Sequence, residues 1–356
     1  MIQSHFRSLA SSGLKHTSTR TTTISTFRNP QSLRNYTSVA IRGVPNSLSN
    51  ALAKELPTDP ISFSKAVEQH DVYKEYLSCI VPRIIDIEAD ESFPDCVFIE
   101  DTAIVIDDQA VITSIGADSR KGEVDVVKEA LVSIGLIVTD MRSDDNSNDN
   151  DNDNDNDNDN DNDNNKNDHG DETDEISDPL AIATCDGGDV LYPVSYTRDP
   201  STGGPLQKKG GKHLFVGISS RTNHAGAKFL QRAFPQVQVV PVELGDLTSD
   251  ALHLKSIVTH LDERTLLIPK GEKWDILCTK MGLEQLGYEV IRLPDIKACN
   301  VVSVNGKVIA QPHICEESIA ILCSEVEKRG MMLVWVDASE FAKCDGALTC
   351  SSILIP

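Results

Sequence analysis

One pattern recurs along the chain and limits it to a repeat architecture: an amphipathic helix followed by a short β-rich strand. The helical patterns are SFSKAVEQHDVYKEYLSCI, GEVDVVKEALVSIG, RTNHAGAKFLQRAF, KWDILCTKMGLEQLG and EESIAILCSEVEKRG, and the strands are RIIDIE, LIVTDM, VQVVPVEL, EVIRLP and MMLVWVD. Helical spacing predicts a buried face at Val124, Val127, Leu131 and Ile134, and another at Ile319, Leu322, Cys323 and Val326. Five similar units therefore share the chain.

Strand pairs precede the last four helices and predict how the units assemble. They are DCVFIEDTAIVIDDQAVITSI, DGGDVLYP…KHLFVGIS, HLKSIVTHLDERTLLIP and NVVSVNGKVIAQP. The first helix has only SVAIRGV before it, and the strand LTCSSILIP at the other end of the sequence lacks a partner. Because repeats that cannot bury their faces alone stack on one another, we expect five units in a ring, closed by pairing of these two strands.

The first 38 residues have the composition of a targeting segment. They contain arginine and many serines and threonines, and the first acid of the chain is Glu55. This composition predicts a mitochondrial transit peptide ahead of a catalytic domain at 39–356. The alternative is a disordered tail on a cytoplasmic protein.

An Asp/Asn-rich tract at 144–178 interrupts the catalytic domain and carries most of the formal net charge of -22. It cannot bury apolar surface and repels itself, which predicts a disordered, solvated insert. Calcium binding is the alternative, but the tract has no spaced ligand loop with a turn-making glycine, so a neutral expansion is favoured. A second enlargement lies at 192–212, where a hairpin is unusually long.

Composition excludes several classes of function. No basic cluster offers a face for nucleic acid, and no apolar run is long enough to span a membrane. The nine cysteines form no CxxC pair, which indicates reduced thiols and no structural zinc tetrad.

Polar residues stand where the first strands of the units begin, and a ring would bring them together. They are Glu100 and Asp101, Asp186 and Asp189, His253, Asn300, and Cys350. Acids hold a cation, a thiolate attacks and a histidine moves protons, so the set predicts nucleophilic attack on a cationic substrate. The alternatives are a buried structural cysteine and a plain turn at DGGD.

Five motifs in order, PDCVFIEDTAIV, DGGDVL, SSRTNHAG, LHLKS and DGALTCSS, resemble the dimethylarginine dimethylaminohydrolases of the guanidino-group-modifying (pentein) superfamily. The resemblance covers about Val39 to Pro356, apart from the two enlargements. It implies a five-bladed α/β propeller that hydrolyses Nω-methylated arginines to citrulline without a cofactor or metal. It also implies a small-molecule substrate, no nucleic-acid or membrane partner, and a monomer or homodimer.

The resemblance assigns catalytic roles. Cys350 matches the nucleophile, which would form a covalent thiouronium, and His253 matches the general acid/base. Asp186 and Asp101 match residues that hold the guanidinium.

The resemblance also assigns substrate contacts. Arg120 and Arg221 match a pair that grips the α-carboxylate, which suits two guanidinium forks. Asp95 matches the α-amino contact, shared with the carbonyl near Cys344. Glu100 either touches substrate or points outward, because alternation along a strand puts it opposite Asp101.

Two rival functions remain open. Arginine deiminases share the implied fold and typically carry an acid two residues after the histidine, where this chain has Lys255. An open side of the guanidinium admits methyl groups, so Lys255 favours methylated substrates. A non-catalytic arginine-binding relative would have lost the cysteine or the histidine, and both are present. The family lid corresponds to GVPNSLSNALAKE, in which no single contact is predicted.

Overall fold

The structure is a computed structural model that describes residues 36–146, 182–197, 207–249 and 251–356. The predicted transit peptide lies outside the described residues except for its last three positions, and so does the acidic tract from residue 147 onward. In the described part of the chain, no helix has the length and apolar character needed to cross a membrane.

The described residues form five α-helices and seventeen strands. The helices are α1 (Phe63–Ile80), α2 (Val124–Ser133), α3 (His224–Ala233), α4 (Glu272–Lys280) and α5 (Glu316–Lys328). The strands are β1 (Ser38–Arg42), β2 (Arg83–Ile87), β3 (Ala103–Ile106), β4 (Gln109–Ile112), β5 (Ile137–Asp140), β6 (Val190–Leu191), β7 (Val194–Thr197), β8 (Gln207–Gly210), β9 (His213–Ile218), β10 (Gln238–Glu243), β11 (Thr259–Asp262), β12 (Thr265–Pro269), β13 (Glu289–Leu293), β14 (Val302–Val304), β15 (Lys307–Ala310), β16 (Met332–Trp335) and β17 (Ile353–Ile355).

Over these residues, five three-stranded sheets repeat one topology. Their strand orders are β17-β1-β2, β3-β4-β5, β6-β9-β10, β11-β12-β13 and β14-β15-β16. In each sheet the middle strand is antiparallel to the first and parallel to the third. A helix connects each parallel pair, as a parallel connection requires. The predicted ββαβ repeat is therefore present in all five sheets.

The first sheet joins the two ends of the described fold. Strand β17 pairs antiparallel with β1, with Ser38 opposite Ile355 and Ala40 opposite Ile353. The predicted strand over LTCSSILIP is too long, however, because Thr349–Ser351 forms a 3-10 turn and only Ile353–Ile355 is extended. Cys350 therefore lies on a turn that leads into the strand.

Helix faces follow the predicted periodicity with two corrections. Val127 and Leu131 of α2 are fully buried, and each such burial contributes about 1.5–3 kcal/mol. In α5, Cys323 is exposed and Ser318 is buried, so the buried stripe lies on a slightly different face from the one predicted. Helix α4 ends seven residues earlier than its pattern, and Gly282 follows with a φ of +64° that continues no helix.

The enlarged hairpin at 192–212 contains a small sheet of its own, β7–β8. Tyr196 of β7 packs edge-to-face on Tyr36, with ring centroids 5.3 Å apart, and its hydroxyl donates to Asp107 at 3.0 Å. Tyr36 and Tyr196 also line a cavity of about 140 Å³ that is distinct from the one lined by Cys350. Residues of the enlargement therefore form part of the wall of this second cavity.

Candidate active site

Short 3-10 turns, one before the first strand of each described sheet, position the polar residues singled out in the sequence. The turns are Ile99–Thr102, Gly187–Asp189, Leu254–Ser256, Ile296–Cys299 and Thr349–Ser351. Because Glu100 and Asp101 lie on such a turn, strand alternation does not apply to them, and both are buried. Of the two alternatives for Glu100, the outward-facing one is excluded for this reason, and its contact with substrate stays a prediction.

Seven of the nine predicted site residues line one cavity. They are Asp95, Asp101, Arg120, Arg221, His253, Cys344 and Cys350, with Leu52, Phe98, Leu252, Asp345 and Gly346 completing the lining. The cavity measures about 20 Å³, roughly the space that one water needs. Its walls must move before a larger ligand can enter. Glu100 and Asp186 are not among the lining residues, and Glu100 lines the cavity of about 140 Å³ instead.

Cys350 lies in this cavity as a neutral thiol. Its side chain is buried, and burial raises the pKa of the thiol well above its usual value. The carboxylates of Glu100 and Asp101 raise this pKa further, because a thiolate beside them would be repelled. The cysteine therefore needs a positive neighbour before it can act as a nucleophile.

His253 is the positive group of the site. Burial lowers the pKa of its imidazole, but Asp101, Asp189 and the hydrogen bond to Asp186 outweigh burial and raise the pKa to about 9. Nε2 lies 3.1 Å from Oδ2 of Asp186, and Nδ1 lies 3.8 Å from Oδ1 of Asp101. At neutral pH the ring is an imidazolium, and Nδ1 is the nitrogen left to serve a ligand.

Asp186 orients the histidine. Its Oδ1 accepts the N–H of Gly116 at 2.8 Å, and its Oδ2 faces His253. Both oxygens are engaged and the side chain is fully buried in the ligand-free protein. The structure thus shows Asp186 as the partner of His253, and its contact with a guanidinium stays a prediction.

The glycines of DGGD allow close approach. A Cβ at Gly188 would lie 2.6 Å from Nδ1 of His253, and a Cβ at Gly187 would lie 2.0 Å from the carbonyl oxygen of Glu100. Asp189 follows them and accepts the N–H of Leu254 at 3.0 Å, which ties this turn to the one after His253. DGGD is therefore a packing element of the site as well as a turn.

Asp101 is the anionic wall of the cavity. Its Oδ2 accepts from Nη1 of Arg120 at 2.6 Å and its Oδ1 accepts the N–H of Gly188 at 2.9 Å. Burial raises the pKa of the carboxyl, but His253 and Arg120 outweigh burial and lower it to about 2. Asp101 therefore stays ionised and can face a cation.

The two predicted carboxylate clamps differ. Arg120 is buried and already donates to Asp101, to both oxygens of Glu123 and to the Phe98 carbonyl. Arg221 is partly buried and lines the cavity, and no ion pair engages it within the described chain. Arg221 is therefore the arginine with an unpaired guanidinium at the cavity among the described residues, and Arg120 is paired with Asp101 and Glu123.

Leu52 was not singled out in the sequence and nevertheless lines the cavity. Its N–H donates to both carboxylate oxygens of Asp95, at 3.0 and 3.2 Å, and the N–H of Lys54 donates to Asp345 at 2.6 Å. The loop that carries Leu52 is thus fastened across the opening by two acids. Asp95 would have to release Leu52 to meet an ammonium group.

Glu100 contacts Lys255 and Thr349, which are close to His253 and Cys350 in the sequence. Its Oε1 is 2.7 Å from Nζ of Lys255, and its Oε2 accepts from the hydroxyl of Thr349 at 3.0 Å. Lys255 therefore neutralises a buried acid that would otherwise be free to hold a cation. Cys344 is a cavity residue whose thiol donates to the Phe341 carbonyl at 3.3 Å, and burial raises the pKa of that thiol to about 12.

Asp101, Asp186 and His253 have ligand atoms within 4.8 Å of one another, the spacing of a metal site. However, hydrogen bonds to Arg120, Gly188 and Gly116 already occupy oxygens of both acids.

We expect Cys350 of the ligand-free protein to react slowly with iodoacetamide at pH 7, and its rate to keep rising above pH 9. The reason is the raised pKa of its thiol. Peptide-resolved mass spectrometry across pH 6–10 measures this rate, with the exposed Cys323 of the same chain as an internal control. Fast alkylation of Cys350 that is already pH-independent at pH 6 would contradict the neutral thiol.

Comparison with known proteins identifies relatives of this chain. No protein-family model matches the chain. The N(G),N(G)-dimethylarginine dimethylaminohydrolase of Streptomyces coelicolor is 26% identical over 312 residues, which cover 86% of this chain and 92% of that protein. The enzyme of the same name from Pseudomonas aeruginosa is 25% identical over 300 residues, covering 82% and 89%.

Solved structures extend the comparison to the fold. The Pseudomonas aeruginosa enzyme, as a cysteine-to-serine variant complexed with citrulline, has a TM-score of 0.63 at 24% identity and covers 90% of this chain and 99% of its own. The N-terminal domain of a cyanobacterial arginine dihydrolase, bound to product, has a TM-score of 0.61 at 15% identity, covering 90% and 97%. The predicted α/β pentein fold is confirmed by these likenesses.

Proposed function

We propose that the chain is a dimethylarginine dimethylaminohydrolase, which hydrolyses asymmetric dimethylarginine and monomethylarginine to citrulline and the corresponding amine; its relatives of that name and their shared fold support the proposal. One observation carries the proposal: Cys350, a protonated His253 and an ionised Asp101 line the same buried cavity. A nucleophile, an acid and an anionic wall are what attack on a guanidinium requires.

Binding would use the accessible charges first. Asp101 faces the guanidinium, Arg221 takes the α-carboxylate, and Asp95 takes the α-amino group once Leu52 has moved. The bound guanidinium adds a positive charge beside Cys350, so the pKa of the thiol falls and its proton leaves to solvent. Substrate binding thereby prepares the nucleophile.

Covalent chemistry would follow in two steps. The Cys350 thiolate adds to the guanidinium carbon, and His253 gives its Nδ1 proton to the substituted nitrogen, so that the C–N bond breaks and the amine leaves. The product is a thiouronium on Cys350. Neutral His253 then takes a proton from water and hydroxide adds to the same carbon. The C–S bond breaks to return the thiolate, and the hydroxyl proton passes to solvent, where the free amine takes it up, which leaves citrulline.

The ion pair of Lys255 and Glu100 is the feature that favours methylated substrates. Deiminase-like clamping would need a second free carboxylate, whereas Glu100 is held by Lys255 and Asp186 by His253. One edge of the guanidinium thus remains without a charged partner and leaves space for methyl groups.

The test is citrulline release by the full chain from asymmetric dimethylarginine, monomethylarginine and arginine. We expect turnover of both methylated substrates and a kcat/KM for arginine lower by about tenfold or more, equivalent to about 1.4 kcal/mol. Turnover of arginine alone would move the assignment to a deiminase. Binding of all three without turnover would establish the non-catalytic relative.

The five sheets form, in our proposal, a closed five-bladed propeller around the two cavities. Pairing of β17 with β1 supports closure, because it supplies the first sheet with its antiparallel strand as in the other four described sheets. A crystal structure of the full chain would check the ring.

Two further segments belong to the proposal. We take residues 1–38 as a mitochondrial transit peptide and 144–178 as a solvated insert in the catalytic domain. The N-terminus of the mature protein, sequenced from isolated mitochondria, checks the first. Unchanged kcat/KM after deletion of 147–178 checks the second.

A further inference from the structure

We infer that Asn300 is a positioning residue for the nucleophile: with Thr349 it holds the turn that carries Cys350 against the turn that follows His253. Asn300 is the polar residue at the start of the fifth unit, and no step of the proposed mechanism uses it. Its positioning role rests on the proposed function.

The turn of Cys350 is weakly held by its own backbone. The N–H of Ser351 donates to the Leu348 carbonyl at 3.4 Å, and the N–H of Ser352 donates to the Thr349 carbonyl at 3.3 Å. Both distances exceed the usual 2.7–3.2 Å of such bonds. A turn of this kind needs side-chain support to keep a reacting atom in place.

Asn300 supplies that support from a neighbouring unit. Its Oδ1 accepts the N–H of Thr349 at 3.2 Å, and its Nδ2 donates to the hydroxyl of Thr349 at 3.0 Å. The same Nδ2 donates to the carbonyl of Lys255 at 2.9 Å, two residues after His253. One buried amide thus bridges the turns that carry the proposed nucleophile and the proposed acid.

The side chain of Lys255 closes these contacts into a ring. Thr349 donates to Glu100, and Glu100 pairs with Lys255, whose carbonyl accepts from Asn300. We call Thr349, Asn300, Lys255 and Glu100 the polar ring. Loss of one member leaves buried groups unsatisfied, so such a network acts as a unit.

The polar ring lies between two cavities. Glu100, Lys255 and Thr349 line the cavity of about 140 Å³, while Asp101, His253 and Cys350, each one or two residues away, line the catalytic cavity. A shift of the ring would therefore move the reacting groups. It would leave Arg221 and Asp95, the proposed contacts of the amino-acid end, in place.

The decisive variant is Thr349→Val, with Thr349→Ser as its matched control. Valine keeps the shape of threonine but cannot accept from Asn300 or donate to Glu100, whereas serine keeps the hydroxyl. We expect Thr349→Val to lower kcat for dimethylarginine about 100-fold with KM within about twofold, as misplacement of a reacting group does. Thr349→Ser should stay within about threefold of wild type.

A second readout does not need turnover: the pH profile of Cys350 alkylation. Asn300→Ala and Thr349→Val should shift this pH profile in the same direction. Because both substitutions break the same hydrogen-bond network, the double variant should resemble either single variant. Folded variants with wild-type kcat and alkylation profile would overturn the role of Asn300. Lack of turnover in the wild type would instead overturn the proposed function, and the alkylation profiles would still decide the role of Asn300.

Discussion

Replacing Cys350 with serine is expected to reduce citrulline release from asymmetric dimethylarginine by about 10³-fold or more. A hydroxyl in the place of the thiol cannot be ionised by a bound guanidinium at neutral pH, so the covalent path closes. The side chain is buried in the catalytic cavity, and serine fits the same space. Steady-state assays of both proteins, with circular dichroism to show folding, measure the effect.

Cys323→Ser is the control for this prediction. Cys323 is an exposed cysteine on α5, outside the cavity lining, so its loss should leave kcat/KM within about twofold. Rapid quenching and intact-mass measurement should show a transient adduct on the wild type and none on Cys350→Ser. Retained turnover in Cys350→Ser would remove the cysteine from the mechanism and leave water as the attacking group.

The second large effect is expected from His253→Gly. We expect kcat for dimethylarginine to fall about 10²–10⁴-fold, because an amine cannot leave the tetrahedral carbon without the proton that Nδ1 holds. The pKa of about 9 means that this proton is present throughout the neutral range. The pH dependence of kcat/KM reports the pKa values of the substrate-free enzyme. We therefore expect kcat/KM to decline as the pH rises through about 9.

S-methyl-L-thiocitrulline separates acid catalysis from a structural role. Its methanethiol group leaves as a thiolate without prior protonation, so His253→Gly should still form the adduct on Cys350 with this compound. Asp186→Asn is the companion variant, since it keeps the shape of the partner of Nε2 and removes its charge. Equal loss of adduct formation and dimethylarginine turnover in His253→Gly would show that the histidine only maintains the site.

The sequence predicted the repeat because its signals are local. The periodicity of Val124, Val127 and Leu131 follows from one helix face, and the hairpins follow from short turns. The pairing of β17 with β1 was also predictable from the sequence, because the strand before the first helix lacked an antiparallel partner and LTCSSILIP was the strand left unpaired. The end of α4 was not predictable, because the apolar pattern continues beyond Lys280 whereas the positive φ of Gly282 ends the helix.

The site was less predictable because its contacts join distant segments. Arg120 matched a motif, yet its guanidinium is taken up by Asp101 and Glu123. Asp186 proved to be the partner of a residue 67 positions away. Motif position identifies which residues meet, but the direction in which each carboxylate or guanidinium points depends on packing that the sequence does not display.

Pairing of β1 with β17 also has a kinetic consequence. These strands lie at opposite ends of the folded domain, so their contact closes a very large loop and forms slowly. Cys350 lies in the turn directly before β17, and its neighbour Thr349 must find Asn300 in the same event. Until β17 pairs with β1, the turn of Cys350 has no fixed place beside Asn300, so the thiol is aligned only in a chain whose first sheet is complete.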